Sequence, residues 1–180
     1  MAELKILPYY QKFLKDFEKE KQRISNALRG DDIEIHHIGS TAVPRLGGKG
    51  IIDIMLGINT WKDLGSIIEK LKIIGFKHIH PKEKGRVFLS KTGATKLGDV
   101  HIHIVKKGGK VSKDLLLFRD CLRNHKKEAE KYFNLKLKWS EEFKGDRKKY
   151  TKEKVNYVKD ILRKVYKHNK KSHVKNSSRL

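Results

Sequence analysis

Three side chains that can bind a metal ion or move a proton lie on two short apolar segments of this chain. Asp53 lies in the middle of 51–58, and His101 and His103 alternate with apolar residues in 99–105. Every second side chain of a strand points to the same face, so the two histidines share a face. A carboxylate in an apolar strand is costly to bury unless a cation, a metal ion or hydrogen bonds compensate it. We therefore predict Asp53, His101 and His103 as groups for metal binding or proton transfer.

Each of these residues also has other interpretations. Asp53 can cap a neighbouring loop or pair with Lys49, and the histidines can lie on a polar, solvated sheet face. A His-x-His strand can also hold a hydrolytic metal, so a metal-dependent hydrolase is an alternative function. If the side chains share an ion, those of Asp53 and His101 lie within about 8 Å of each other.

A glycine-rich loop precedes the strand that carries Asp53. It begins directly after the alternating segment 33–38 and ends near Lys49. A Gly-Ser turn exposes backbone N–H groups together with a hydroxyl, and such groups bind phosphate. We predict nucleotide phosphate contacts from four residues of this loop: Gly39, Ser40, Thr41 and Lys49.

Two arginines on a predicted C-terminal helix are further candidates. Arg119 and Arg123 are four residues apart, so they share a helix face and are predicted to contact phosphate as well. The alternative is that they pair with Asp120 and other acidic neighbours.

The remaining pattern predicts a single α+β domain in which a mixed sheet is flanked by helices. Three- and four-residue apolar spacing predicts a long N-terminal helix within 4–29. The predicted strands are 33–38, 51–58, 76–80, 86–90 and 97–105, and the later helices are 61–74, 113–126, 127–139 and 151–167. We expect the domain to span 1–166 and the basic tail 167–180 to be disordered.

Composition limits the class of protein. The 180 residues have a formal net charge of +22, and no apolar run approaches the roughly 20 residues of a membrane span. The N-terminal residues do not have the pattern of a secretion signal, so we expect a cytoplasmic protein. The single cysteine, Cys121, excludes an internal disulfide and a four-thiolate zinc site.

The positive charge is concentrated in the second half of the chain. Residues 106–180 carry 25 of the 43 Lys and Arg side chains but only 9 of the 21 acidic ones. Such a surface favours polyanionic partners, nucleotides and nucleic acid among them. The alternative is a solvated, lysine-rich helical surface.

The segment 34–44, EIHHIGSTAVP, resembles the signature of the GrpB family, and the match continues through Leu46, Lys49 and 51–54. Further matches are 101–105, 118–123, Tyr132, Leu135-Lys136 and 150–154. The resemblance departs from the family at Arg45, where glycine is usual.

The resemblance implies a nucleotidyltransferase-like fold. In that superfamily a Gly-Ser turn precedes a strand bearing Asp-x-Asp, and a later strand adds a carboxylate to hold two divalent cations. Gly39-Ser40 and Asp53 match, whereas Met55 replaces the second aspartate. The implied function is nucleotide binding with transfer of a nucleotidyl group from a nucleoside triphosphate to an unknown acceptor. In that reaction we expect Asp53, His101 and His103 to be the catalytic residues and the ligands of a divalent cation, Mg²⁺ or Mn²⁺. The alternative is a non-catalytic nucleotide or nucleic-acid binding module with a degenerate metal site.

Overall fold

A five-stranded sheet and five α-helices form the fold. The computed structural model describes residues 5–83, 85–95 and 98–177. The elements in chain order are α1 (Lys12–Ala27), β1 (Ile33–Ile38), β2 (Ile52–Ile58), α2 (Leu64–Ile73), β3 (Lys77–Glu83), β4 (Arg86–Lys91), β5 (Val100–Lys106), α3 (Lys110–Asn124), α4 (Lys126–Glu142) and α5 (Arg147–Ser177). Short 3-10 helices occupy Ser40–Ala42 and Trp61–Asp63.

The sheet is mixed, with strand order β1-β2-β5-β4-β3. β2 and β5 are parallel neighbours, and every other pair of neighbouring strands is antiparallel. The parallel register places Asp53 opposite His101 and Met55 opposite His103. Since residues opposite each other point to the same face, this register brings together side chains that are about fifty positions apart in sequence.

Helices α1 and α2 cover one face of the sheet. The predicted apolar face of β2, which is Ile52, Ile54, Leu56 and Ile58, is buried against apolar residues of these two helices. The opposite face is covered by α3 beside Met55. Together α3, α4 and α5 enclose a second apolar cluster that includes Tyr132, Trp139 and Tyr150. Asp53 therefore faces the side of the sheet on which the C-terminal helices pack.

The sequence-predicted strands and helices are confirmed, with differences at their ends. α1 begins at Lys12 rather than near residue 4, and Pro8 lies before the helix. α5 continues through 167–177, where we expected a disordered tail. Neither proline nor glycine interrupts 147–177, and lysine is a good helix former, so the backbone continues as helix. Residues 178–180 of the predicted tail lie outside the described part of the chain.

None of the helices in the described residues is both long enough and apolar enough to cross a bilayer.

Candidate functional site

Asp53 lies at the centre of a small polar cluster on the face of the sheet that α3 covers. Its Oδ1 atom is 3.4 Å from His101 Nδ1 and 3.3 Å from His103 Nε2. The predicted approach of Asp53 to His101 is thereby confirmed. The side chain of Asp53 keeps 25% of its surface exposed, compared with 21% for His101 and 13% for His103. A ligand can therefore reach the carboxylate and the first imidazole more easily than the second.

The two imidazoles stabilise the ionised form of Asp53. Burial alone would raise the pKa of this carboxyl, but the hydrogen bonds and charges of His101 and His103 outweigh burial and lower it. Burial also lowers the pKa of His103, against the opposing effect of Asp53. The Asp53 carboxylate is therefore ionised at neutral pH, and His103 beside it is neutral.

The geometry fixes the tautomer of His103. An ionised carboxylate only accepts hydrogen bonds, so His103 Nε2–H is the donor to Asp53 and Nδ1 carries the lone pair. Nδ1 is buried and has no hydrogen-bond partner among the described residues. An unpaired buried acceptor is costly, and such exceptions occur preferentially at functional sites.

Met55 occupies the position where the resemblance would place a second carboxylate. Its side chain is fully buried and packs with Ile38, Val105 and partly buried residues of α3. A carboxylate there would lie in an apolar cluster rather than beside Asp53 in solvent. Position 55 therefore packs in the apolar cluster below α3 and adds no carboxylate to Asp53.

The Gly-Ser turn closes directly over Asp53. Gly39 has φ of 73°, a left-handed conformation that favours glycine, and a β-carbon there would lie 2.5 Å from Asp53 Oδ2. Ser40 then begins a short 3-10 helix, whose first N–H groups have no acceptor within that helix. The hydroxyl of Ser40 points to Gly48, where a β-carbon would collide with it. Two glycines therefore permit the close approach of turn, strand and loop.

Thr41 supports this turn from within. Its side chain is fully buried, and Oγ1 donates to the carbonyl oxygen of Ile51 at 3.0 Å. Since that uses the single hydroxyl proton, His37 Nε2–H donates to Thr41 Oγ1 at 3.1 Å. His37 stacks on Phe17 with 4.4 Å between ring centroids, and burial lowers its pKa to about 4. The Thr41 hydroxyl is thus used in hydrogen bonds within the protein. The predicted contact of Thr41 with phosphate stays a prediction, and it concerns the backbone N–H group.

Arg119 and Arg123 anchor α3 to the same turn. Arg119 pairs with Asp120 through two hydrogen bonds of 2.7 and 3.0 Å and donates to the carbonyl oxygen of His37. Arg123 donates twice, at 2.9 and 2.8 Å, to the carbonyl oxygen of Ala42. The pairing of Arg119 with Asp120, which was the alternative from the sequence, is present in the structure. The predicted contact of both arginines with phosphate stays a prediction.

Lys49 lies at the end of the glycine-rich loop. Its ammonium group is 4.1 Å from the centroid of the Tyr150 ring, a cation–π contact with the first turn of α5. Burial lowers the pKa of Lys49 to about 8, and the charges of Lys154 and Arg147 add to that effect. Lys49 forms no salt bridge with Asp53, so the ion pair considered from the sequence is not present in the structure.

Sequence reasoning did not identify Lys136 as a functional residue. Its side chain is only 3% exposed, and its ammonium group donates to the carbonyl oxygen of Gly47. Nζ also lies 3.7 Å from the position that a β-carbon on Gly48 would take, beside the Ser40 hydroxyl. Burial lowers the pKa of Lys136 to about 7, with further lowering from Lys154 and Lys49. Two features of the sequence could have identified it. Lys136 takes an apolar position in the helical spacing of α4, and it belongs to the Leu135-Lys136 match to the family.

Arg45 borders a separate cavity of about 500 Å³ between the glycine-rich loop and α3 and α4. Arg123, Lys126 and Glu130 also line it. Arg45 has φ of 66°, which is the left-handed conformation. This conformation explains why glycine suits the position in the family that the sequence resembles.

The donor chemistry of the Asp53 cluster suits one divalent cation better than two. One carboxylate and two imidazoles are common ligands of a single ion, whereas two neighbouring ions require bridging carboxylates. Within 5–83, 85–95 and 98–177, no group of three or more His, Cys, Asp or Glu side chains has the arrangement of a formed metal site. The Asp53 carboxylate instead contacts both His101 and His103.

Solved structures confirm the fold. The chain is similar to the crystal structure of the conserved protein GrpB from Enterococcus faecalis, with a TM-score of 0.78, 25% identity and coverage of 90% of this chain and 99% of that chain. It is also similar in fold to a cytoplasmic RNA terminal U-transferase, with a TM-score of 0.54, 14% identity and coverage of 75% and 43%. The domain therefore has a nucleotidyltransferase-like α+β fold.

Proteins that are similar in sequence carry the names UPF0157 or GrpB. UPF0157 protein YqkA of Bacillus subtilis is 29% identical over 160 residues, and the match covers 87% of this chain but 45% of YqkA. This chain thus spans about half the length of YqkA. The glutamate-rich protein GrpB of Alkalihalophilus pseudofirmus is 30% identical over 165 residues, covering 89% of this chain and 95% of that protein. The family model described as GrpB protein matches residues 3–164, and the chain belongs to this family.

Proposed function

We propose that this chain binds a nucleoside triphosphate beside Asp53 and transfers its nucleotidyl group to an acceptor. The observation that carries the proposal is the closure of the Gly39-Ser40 turn over the Asp53 carboxylate, where a β-carbon on Gly39 would be 2.5 Å from Oδ2. The turn supplies N–H donors and a hydroxyl for phosphate, and the cluster supplies groups for a cation or a proton. The fold shared with an RNA terminal U-transferase supports the same reaction class.

The reaction is a substitution at the α-phosphorus of the nucleotide. A nucleophilic oxygen or nitrogen of the acceptor forms a bond to this phosphorus, the bond from phosphorus to the bridging oxygen breaks, and pyrophosphate leaves. The nucleophile loses its proton, and the Asp53–His101 pair is the proton acceptor in this proposal because these two side chains are the more exposed members of the cluster. Asp53 holds the His101 ring in place through its contact with Nδ1.

A divalent cation is part of the proposal. Its ligands would come from Asp53, His101 and His103, with at least one of Asp53 and His101 left free to accept the proton, and it supplies neutralisation of phosphate charge when bound. Gly39, Ser40 and Lys49 hold the phosphates, and Arg119 and Arg123 keep the turn in position through His37 and Ala42. The basic C-terminal half favours a polyanionic acceptor, and nucleic acid is the proposed one.

Met55 favours a second candidate, which is nucleotide binding without catalysis. Its full burial leaves Asp53 as the one carboxylate of the cluster described here. Two-cation catalysis of nucleotidyl transfer needs more negative charge than this cluster supplies. Binding and transfer are therefore tested separately.

The binding experiment is a thermal unfolding series with ATP, GTP, CTP and UTP, each with Mg²⁺ or Mn²⁺. A nucleotide at about 100 times its Kd stabilises the folded state by about 2.7 kcal/mol, which raises the Tm of a chain of this size by roughly 5 to 10 °C. Asp53→Asn removes the cation-dependent part of this shift. The matched control is Asp63→Asn, an exposed carboxylate at the start of α2 with the same change of charge. The binding proposal is wrong if no nucleotide shifts the Tm, or if both variants respond equally.

The transfer experiment measures pyrophosphate release with an RNA oligonucleotide as acceptor. Release by the unmodified chain and its loss in Asp53→Asn support transfer. Nucleotide binding without release in the presence of either cation supports the non-catalytic candidate instead.

A further inference from the structure

Two amino groups beside the candidate site, those of the buried Lys136 and the half-buried Lys49, are influenced by the charge of Asp53 but form no ion pair with a described residue. Among the described residues, neither Lys49 nor Lys136 forms a salt bridge. Lysine is rarely buried unless its charge is paired, because removing an ammonium ion from water is costly. For comparison, the partly buried Lys91 contacts both carboxylate oxygens of Glu20 at 2.9 and 2.8 Å. The unpaired lysines thus require another explanation.

Further positive charge surrounds these two lysines. Arg147 and Lys154 of α5 are exposed and act electrostatically on Lys49, and Lys154 acts on Lys136 as well. Arg147, Tyr150 and Lys154 are three and four residues apart, so they share one face of α5. The buried Tyr150 ring lies beneath Lys49. These like charges repel one another, and an anion bound between them would offset the repulsion.

The lysine ammonium groups are held in position. Lys136 donates to the carbonyl oxygen of Gly47 and lies 5.0 Å from the Tyr132 ring centroid. These contacts occupy one donor and one side of the ammonium group, which has three N–H donors. The Ser40 hydroxyl and Lys136 Nζ both lie within 4 Å of the position that a β-carbon on Gly48 would take. The donors are therefore fixed before a ligand arrives, which reduces the entropy lost on binding.

We infer that Lys49 and Lys136, with Arg147 and Lys154 at the rim and Ser40 at the base, form a binding site for a polyphosphate chain. The assignment to the β- and γ-phosphates of a nucleotide rests on the proposed function. The site itself follows from the unpaired charge. Several cations surrounding one space suit a ligand with several negative charges better than a monophosphate or a carboxylate. The site lies at the glycine-rich loop and not in the 500 Å³ cavity lined by Arg45.

The experiment titrates the full chain with inorganic tripolyphosphate by calorimetry, without divalent cations. The variants are Lys136→Met and Lys49→Met, and the control is Lys138→Met, an exposed lysine on the same helix. The titration is made at pH 6, below the pKa of about 7 for Lys136 and of about 8 for Lys49, so that all three variants lose one positive charge and distinguish a built site from the net charge of +22. We expect each site variant to bind tripolyphosphate on the order of tenfold more weakly or worse, and the control to bind within about twofold of the unmodified chain.

Equal affinities in all four proteins would overturn the inference, because bulk charge would then explain binding. The two site variants act independently, so a failure of one to fold leaves the other as the test. Competition with a nucleoside triphosphate separates this inference from the proposed function. Lysine-dependent tripolyphosphate binding without competition supports the site and contradicts nucleotide binding there. Nucleotide binding that is unaffected by Lys136→Met and Lys49→Met contradicts the site and leaves the proposed function standing.

Discussion

The charge of buried Lys136 destabilises the folded chain at neutral and acidic pH, and replacing it by methionine tests how much. Its pKa is about 7 in the folded chain, against an ordinary value of 10.5. The unfolded chain therefore binds more protons between these two values, and stability rises with pH across that window. At about 1.4 kcal/mol per pH unit, the charge costs the folded state about 5 kcal/mol below pH 7. The side chain is almost fully buried, so solvent screening removes little of this cost.

Lys136→Met removes that cost and keeps a side chain of similar length. At pH 6 the full penalty of about 5 kcal/mol is present in the unmodified chain, and at pH 9.5 about 1.4 kcal/mol remains. Lys136→Met is therefore expected to raise the unfolding free energy by about 3 kcal/mol more at pH 6 than at pH 9.5. The lost hydrogen bond to Gly47 subtracts about 1 kcal/mol at both pH values and cancels in the comparison.

The assay is urea unfolding of the unmodified chain, Lys136→Met and Lys138→Met at pH 6 and pH 9.5. The exposed Lys138 serves as the control for net charge, and its substitution is expected to change the unfolding free energy equally at both pH values. An effect of Lys136→Met that is also the same at pH 6 and pH 9.5 would refute the reasoning. That result would mean that the ammonium group is solvated or paired in the folded chain.

Three further predictions concern the turn, the sheet face and the basic tail. Gly39→Ala should destabilise the chain by about 2 kcal/mol or more in urea unfolding, because its φ of 73° and its approach to Asp53 both oppose a β-carbon. Gly93→Ala, with φ of 61° and nothing within 4 Å, should cost only about 1 kcal/mol. Met55→Asp should cost about 3 kcal/mol or more, because its carboxylate is buried without a partner, and should add no second Mn²⁺ in a binding titration. Removing 167–180, which holds five Lys and Arg, should weaken nucleic-acid retention and flatten its salt dependence, while tripolyphosphate affinity stays unchanged. Loss of both nucleic-acid retention and tripolyphosphate affinity would mean that residues 167–180 contribute to the tripolyphosphate site.

The sequence alone determined the elements and the face on which the candidate site lies. The period-two alternation in 51–58 and 99–105 predicted that Asp53 lies opposite the apolar face of its strand and that His101 and His103 share a face, and the structure agrees. These properties are local, because the geometry of a strand alone fixes which neighbouring side chains point the same way. The family resemblance likewise rested on a contiguous run, 34–44, and the family is confirmed.

Only the tertiary structure decided which residues meet. Parallel pairing of β2 with β5 brings Asp53 to His101, and periodicity carries no information about which strands are neighbours. Lys136 donates to Gly47 across 89 residues of sequence, and its place on the apolar face of α4 does not show which group it meets there. Arg119 and Arg123 share a helix face in the sequence pattern, but only the packing of α3 shows that they donate to the carbonyl oxygens of His37 and Ala42; their contact with phosphate stays a prediction. Burial and hydrogen-bond partners depend on how helices pack against the sheet, and this packing is a property of the whole chain rather than of any one segment.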